Sequence, residues 1–174
     1  MLEEVRFIVA HDTGNDGSTA EQNVRYFKNT FDINEAKSNG YNIDGYNSAS
    51  AHAFVDDLGV VICIPCEDEV KQAYHVKYNK LKDNKLFGED ANDCAIGIEL
   101  CWGSDWSFDR NFKSYTNYIN FITYLIRIHN LDISKLVGHF ELDEEKIDPL
   151  NGLRMVHKDM NSMKEDIRGL LRDI

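Results

Sequence analysis

Two hydrophobic rhythms alternate along the chain, one with the period of a strand and one with the period of a helix. Val5 to Ala10 is a compact apolar run and reads as a strand, with His11-Asp12-Thr13-Gly14 as the turn leaving it. Ser18 or Thr19 can cap a helix running to about Phe31, with Glu21 where a capping-box acid stands and Val24, Phe27 and Phe31 as an apolar edge. Residues 32–49 are rich in Asn, Gly, Ser and Tyr without a period, and read as a loop long enough to carry function. Ser50 to Asp57, Leu58-Gly59 and Val60 to Ile64 predict a β-hairpin turning at Gly59. Glu67 to Tyr74 predicts one or two turns of helix, and residues 77–93 are polar and irregular.

The second half of the chain is patterned more sharply. From Cys94 to Trp102 the residues alternate, with Ile96, Ile98 and Leu100 on one face and Gly97, Glu99 and Cys101 on the other. Ser107 or Asp109 starts a long helix to about His129, on which Tyr115, Tyr118, Ile119, Ile122, Leu125 and Ile126 form one stripe. Ile133 to Gly138 predicts a short strand ending at His139, and Asp148-Pro149-Leu150-Asn151-Gly152 is turn chemistry. Asp159 caps a last helix with Met160, Met163, Ile167, Leu170, Leu171 and Ile174 apolar. Strands and helices alternate, so the fold class is α/β, a central mixed β-sheet flanked by helices. A length of 174 residues suits a single domain, 1–174.

Composition narrows the partners. Hydrophobic residues make up 43% and charged residues 28%, which excludes a disordered chain. The formal charge of −11 argues against nucleic acid, whose phosphates need Lys and Arg. Met1-Leu2-Glu3-Glu4 is acidic and the run Phe7 to Ala10 is too short for a signal segment, so the expectation is cytoplasmic synthesis without a signal peptide and no membrane insertion. Without a secretory context, Cys63, Cys66, Cys94 and Cys101 read as reduced thiols.

The chemistry gathers where apolar strands end. His11 and His139 each close one, at the edge where open α/β sheets place their sites. A lone histidine there is more often a structural group than a ligand. Asp148 follows His139 by nine residues, a loop long enough to fold back to it. Two imidazoles and one carboxylate are a three-ligand zinc set with a fourth position open, the arrangement of hydrolytic sites. Beside such a set, Glu99 can take a proton and Lys146 can stabilise an oxyanion, although a strand carboxylate and a loop lysine are also ordinary surface groups. Two rival readings use the cysteines. Cys63-Ile64-Pro65-Cys66 has local thioredoxin-like spacing but lacks the preceding βαβ unit, and a four-cysteine structural zinc is disfavoured by the long spacing from Cys94 to Cys101.

Five stretches in order resemble one family. They are Phe7-Ile8-Val9-Ala10-His11-Asp12-Thr13, Ser50-Ala51-His52-Ala53-Phe54-Val55 with Gly59, Ala73-Tyr74-His75, Asn92-Asp93-Cys94-Ala95-Ile96-Gly97-Ile98-Glu99-Leu100, and Val137-Gly138-His139 with Lys146 and Asp148-Pro149. Together they resemble the type-2 N-acetylmuramoyl-L-alanine amidases, the family shared by phage endolysins, bacterial autolysins and peptidoglycan recognition proteins. The resemblance implies zinc held by His11, His139 and Asp148 at the sheet edge, Glu99 as acid/base, Lys146 polarising the carbonyl, and His52 and His75 lining the substrate cleft. The implied substrate is bacterial peptidoglycan, cut between N-acetylmuramic acid and L-alanine of the stem peptide, with an endolysin acting on the wall after release. Tyr74 stands where the family commonly has Trp, which makes the stacking surface there smaller. A non-catalytic peptidoglycan-binding module is the alternative of the same fold. Tyr41, Tyr46 and Tyr78 are candidates for touching glycan or peptide.

Overall fold

The computed structural model describes residues 2, 4–30, 49–78, 80, 82 and 86–172. At its centre is β1 (Phe7–Asp12), all six residues of which are buried. It lies between β4 (Ala95–Leu100) and β5 (Leu136–Gly138), parallel to both. Beyond β4 comes β2 (Ala53–Val55), also parallel, and the edge strand β3 (Val60–Ile62), antiparallel to β2. The sheet is therefore mixed, in the order β3-β2-β4-β1-β5. A strand enclosed by parallel neighbours is buried on both faces, which is why β1 reads as one continuous apolar run.

The alternation in β4 sorts the two faces of the sheet. Ile96, Ile98 and Leu100 pack with Ile8 and Ala10 under a long helix, numbered α3 (Phe108–Ile128), and a C-terminal helix, α6 (Met160–Arg172). Tyr115, Tyr118, Ile122, Leu125, Met163 and Ile167 supply the helical side of that core. On the other face Phe7, Val9, Ala95 and Val137 meet Val76, Leu142 and the one-turn helix α2 (Ala91–Cys94). The helix α1 (Ala20–Thr30) covers the hairpin side through Val24 and Phe27. Among the described residues no helix is long and apolar enough to cross a membrane.

Caps decide several boundaries. Ser107, rather than Asp109, caps α3, its hydroxyl accepting the Arg110 N–H at 3.2 Å. For α1 the reciprocal pair is Thr19 with Gln22, not Ser18 with Glu21: Gln22 accepts the Thr19 N–H (2.9 Å) and Thr19 accepts the Gln22 N–H (3.3 Å). Asp56 ties that helix to the hairpin, since one carboxylate oxygen accepts the Ala20 N–H and the other the N–H groups of Leu58 and Gly59.

Other expectations are corrected. Residues 67–74 form no helix, because this stretch spends its backbone groups on distant partners; Tyr74 O accepts from Ser50 N. Ile133–Lys135 is a single 3-10 turn capped by Asp132, so β5 starts only at Leu136. Short helices α4 (His139–Leu142) and α5 (Leu150–Arg154) replace part of the turn chemistry after His139. Phe31, residues 32–48 with Tyr41 and Tyr46, which read as loop in the sequence, and Ile174 lie outside the described residues.

Two buried polar side chains stitch the strand ends. The Tyr118 hydroxyl rises from α3 to 3.1 Å from the carbonyl oxygens of His11 and of Ile98, at the ends of β1 and β4. His52 is wholly enclosed, its Nδ1 accepting the Gly97 N–H (3.0 Å) while Nε2 donates to Lys71 O (2.9 Å). Burial lowers this imidazole to about 4, against the raising pull of Lys71 O.

Removing the hydroxyl in Tyr118→Phe leaves buried carbonyls short of a donor, a loss of about 1–2 kcal/mol. The urea midpoint should fall with unchanged slope; an unchanged midpoint contradicts the role. For His52 the folded state resists a proton that the unfolded chain accepts near 6.5. Stability from this residue is therefore full above pH 6.5 and is lost as pH falls toward 4, on the order of 3 kcal/mol in all. In chelator-treated protein, His52→Asn should flatten the loss of stability with acid, and parallel pH profiles for the two proteins would contradict this.

Candidate functional site

The strands β1, β4 and β5 run parallel and end at one edge, where the site is built. Their register sets His11 directly beside Glu99. Both project to the face opposite α3, as the alternation along β1 and β4 requires. His139 follows β5 without a spacer and opens α4. Gly138 allows this close turn, because a Cβ there would lie 2.6 Å from the Phe140 ring and 3.1 Å from Pro149 Cδ.

The loop after α4 then returns. Phe140 N–H donates to Asp148 O (3.2 Å), which brings Asp148 back beside His139. Within the loop, buried Asp143 accepts from Lys80 (2.7 Å) and from the Glu145 N–H (3.0 Å). Asp12 fastens the far end, its carboxylate accepting the Gly152 N–H at the start of α5 (2.8 Å). The signal for Asp12 was present in the sequence, an acidic residue beside His11, but the helix it caps is 140 positions away.

The result is a tight polar group. Asp148 Oδ2 stands 2.9 Å from His11 Nδ1 and 2.9 Å from His139 Nδ1. Donor atoms of these three residues lie within 4.8 Å of one another, the sole group of that kind among the described residues. His11 and His139 are buried and Asp148 is half-buried. Burial lowers His11 to about 4 although the Asp148 carboxylate pulls it up, so the ring is neutral at pH 7 and has a lone pair to offer. Burial raises Asp148, but its contacts with the two histidines outweigh this and hold it below the ordinary carboxylate range. Two imidazoles and an ionised carboxylate converging on one point fit a divalent ion of the zinc type.

Glu99 forms the floor of the adjoining cleft. Its Oε2 is enclosed and has no hydrogen-bond partner among the described residues, and neither has His139 Nε2. Burial first, and then the charges of Asp148 and Asp12, raise Glu99 well above the usual carboxylate range, while Lys146 opposes them. Asp12 itself is raised to about 6 by burial, against the Gly152 hydrogen bond. The cleft holds about 370 Å³ and is lined by His11, His75, Glu99, His139, Lys146 and Asp148 among others. Lys146 is exposed at its rim. A neighbouring lobe of about 560 Å³ runs past Tyr74, Tyr78, Asp143 and Lys146.

His75 lies in the cleft wall, its Nδ1 3.0 Å from His11 Nε2. His52 is set behind it, with ring centroids 5.8 Å apart and no exposed surface of its own. The cysteines hold no comparable group. All four are free thiols, with Cys66, Cys94 and Cys101 buried and Cys63 exposed. Burial pushes the Cys66 thiol up to about 12, opposite to a reactive dithiol.

The fold and its sequence have relatives. The chain resembles the solved catalytic domain of XlyA at 25% identity, TM-score 0.64, over 94% of this chain and 86% of that one. A mutant endolysin from Bacillus subtilis aligns at 23% identity and TM-score 0.64, over 94% and 86%. The Staphylococcus aureus hydrolase AmiA, solved in complex with its ligand, gives TM-score 0.72 at 18% identity, over 98% and 74%. No curated protein matches. The family model for N-acetylmuramoyl-L-alanine amidase matches residues 1–151, which include His11, Glu99, His139, Lys146 and Asp148. The chain therefore belongs to the N-acetylmuramoyl-L-alanine amidase family.

Proposed function

We propose that this protein is a zinc-dependent amidase of the endolysin type that hydrolyses the bond between the lactyl group of N-acetylmuramic acid and L-alanine of the peptidoglycan stem. The observation that carries the proposal is the meeting of His11, His139 and Asp148 in one open cleft beside Glu99, whose buried Oε2 has no partner among the described residues. His11, His139 and Asp148 would hold the ion. Zinc bound there supplies Lewis acidity, polarising a carbonyl and lowering the pKa of water toward ~7.

The protein's own groups handle the protons. Glu99 accepts a proton from the water that attacks the lactyl carbonyl carbon, and the same carboxyl delivers it to the departing nitrogen as the C–N bond breaks. The products are a free lactyl carboxylate and a free α-amine on L-alanine. A raised Glu99 suits both halves of the cycle, because it holds a proton readily and releases it to a developing amine. Lys146 at the rim presents a cation to the oxygen on which negative charge grows. The lobe past Tyr74 and Tyr78 offers aromatic surface to glycan or peptide. His75 and His52 back the same wall.

The test is zinc content together with release of alanine α-amines from purified cell walls. Wild type should carry one zinc and release amines. Asp148→Ala should lose both. Glu99→Gln and Lys146→Ala should retain zinc, with turnover lower by roughly 100-fold or more for the first. Wall binding without amine release would instead mark a recognition module, and new reducing sugar ends would mark a glycosidase.

A further inference from the structure

His75 is the most elaborately seated side chain in the cleft wall, and nothing in the hydrolysis scheme uses it. Its backbone is clamped by Asn92, a fully buried amide whose Oδ1 accepts the N–H groups of both His75 (2.8 Å) and Val76 (3.0 Å). The Asn92 Nδ2 donates to Val76 O (2.7 Å), so the amide is used on both sides. The His75 ring lies flat over Gly97, where a Cβ would come within 2.5 Å of Cγ. Any larger residue at 97 displaces the imidazole. Three separate features thus fix one ring.

What the seated ring touches is also specific. Its Nε2 faces Ala95 O (3.4 Å) and its Nδ1 faces His11 Nε2 (3.0 Å). A carbonyl oxygen only accepts, so it favours the tautomer of His75 with the proton on Nε2. Nδ1 of His75 is then a lone pair directed at His11 Nε2. That lone pair draws the proton of a neutral His11 to Nε2, against the Asp148 carboxylate, which draws it to Nδ1; where it wins, His11 Nδ1 is left bare for an ion. Nδ1 is the atom that faces Asp148.

We propose that His75 is a positioning residue that selects the metal-ready tautomer of His11 through the relay Ala95 O, His75, His11. The inference rests on the metal reading of His11, His139 and Asp148. It gives His75 a role toward the ion rather than toward the substrate. Outer partners of this kind orient a ligand ring and increase its basicity, and their loss typically weakens metal binding about 10- to 100-fold.

The experiment measures zinc affinity by competition with a chromophoric chelator, with no substrate present. His75→Phe keeps an aromatic ring over Gly97 but offers His11 no acceptor, and should weaken zinc binding about 10- to 100-fold. His75→Gln restores an acceptor oxygen and should regain part of that loss, a recovery that packing alone does not explain. Thermal unfolding of the metal-free variants, compared with wild type, reports the fold independently of the metal. Phe binding zinc as tightly as wild type overturns the proposal, and so does Gln binding no better than Phe. If wild type itself binds no zinc, the metal reading fails first, and the two failures are distinguished.

Discussion

One carboxylate oxygen, Asp148 Oδ2, stands within hydrogen-bond distance of two imidazole nitrogens that come from opposite ends of the chain. All three groups are mostly removed from water. Bringing polar groups together in such a place costs free energy unless something satisfies them. Among the described residues His139 Nε2 and Glu99 Oε2 nearby find no partner. Unpartnered buried atoms of this kind mark a site that can receive a ligand, and the donor set of His11, His139 and Asp148 fits a divalent cation.

The scaffold holds that arrangement by register. β1 is locked between β4 and β5, so the positions of His11, Glu99 and His139 along the strand direction are fixed together. The loop bearing Lys146 and Asp148 is anchored at both ends, at Asp143 by Lys80 and at Gly152 by Asp12. Tyr118 secures the strand ends from the helical side and His52 secures β4 from the hairpin side. Precision at the site therefore comes from rigid elements and from outer hydrogen bonds, the condition under which a donor set can act.

Much of this was legible in the residues. Alternation across 96–100 separated Glu99 from the apolar face, and the helical stripe from Tyr115 to Ile126 named the core of α3 before any coordinates. His11, His139 and Asp148 were readable because each stands at the end of an apolar run or behind a loop of suitable length. What escaped was set by distant partners. The segment before His75 has local residues compatible with a helix, yet the Asn92 amide and Ser50 capture its backbone. Asp12 read as part of the turn leaving the first strand, whereas its carboxylate accepts from Gly152 in a helix far along the sequence. His52 and His75, two similar imidazoles in the sequence, differ in the fold: the first is fully buried and the second half-buried in the cleft wall.

The most direct measurement is zinc K-edge X-ray absorption on the zinc-loaded protein. The account predicts one ion per chain with nitrogen and oxygen neighbours at about 2.0–2.2 Å and the multiple-scattering pattern of two imidazoles. Sulfur at about 2.3 Å would place the ion among the cysteines and contradict the assignment of His11, His139 and Asp148.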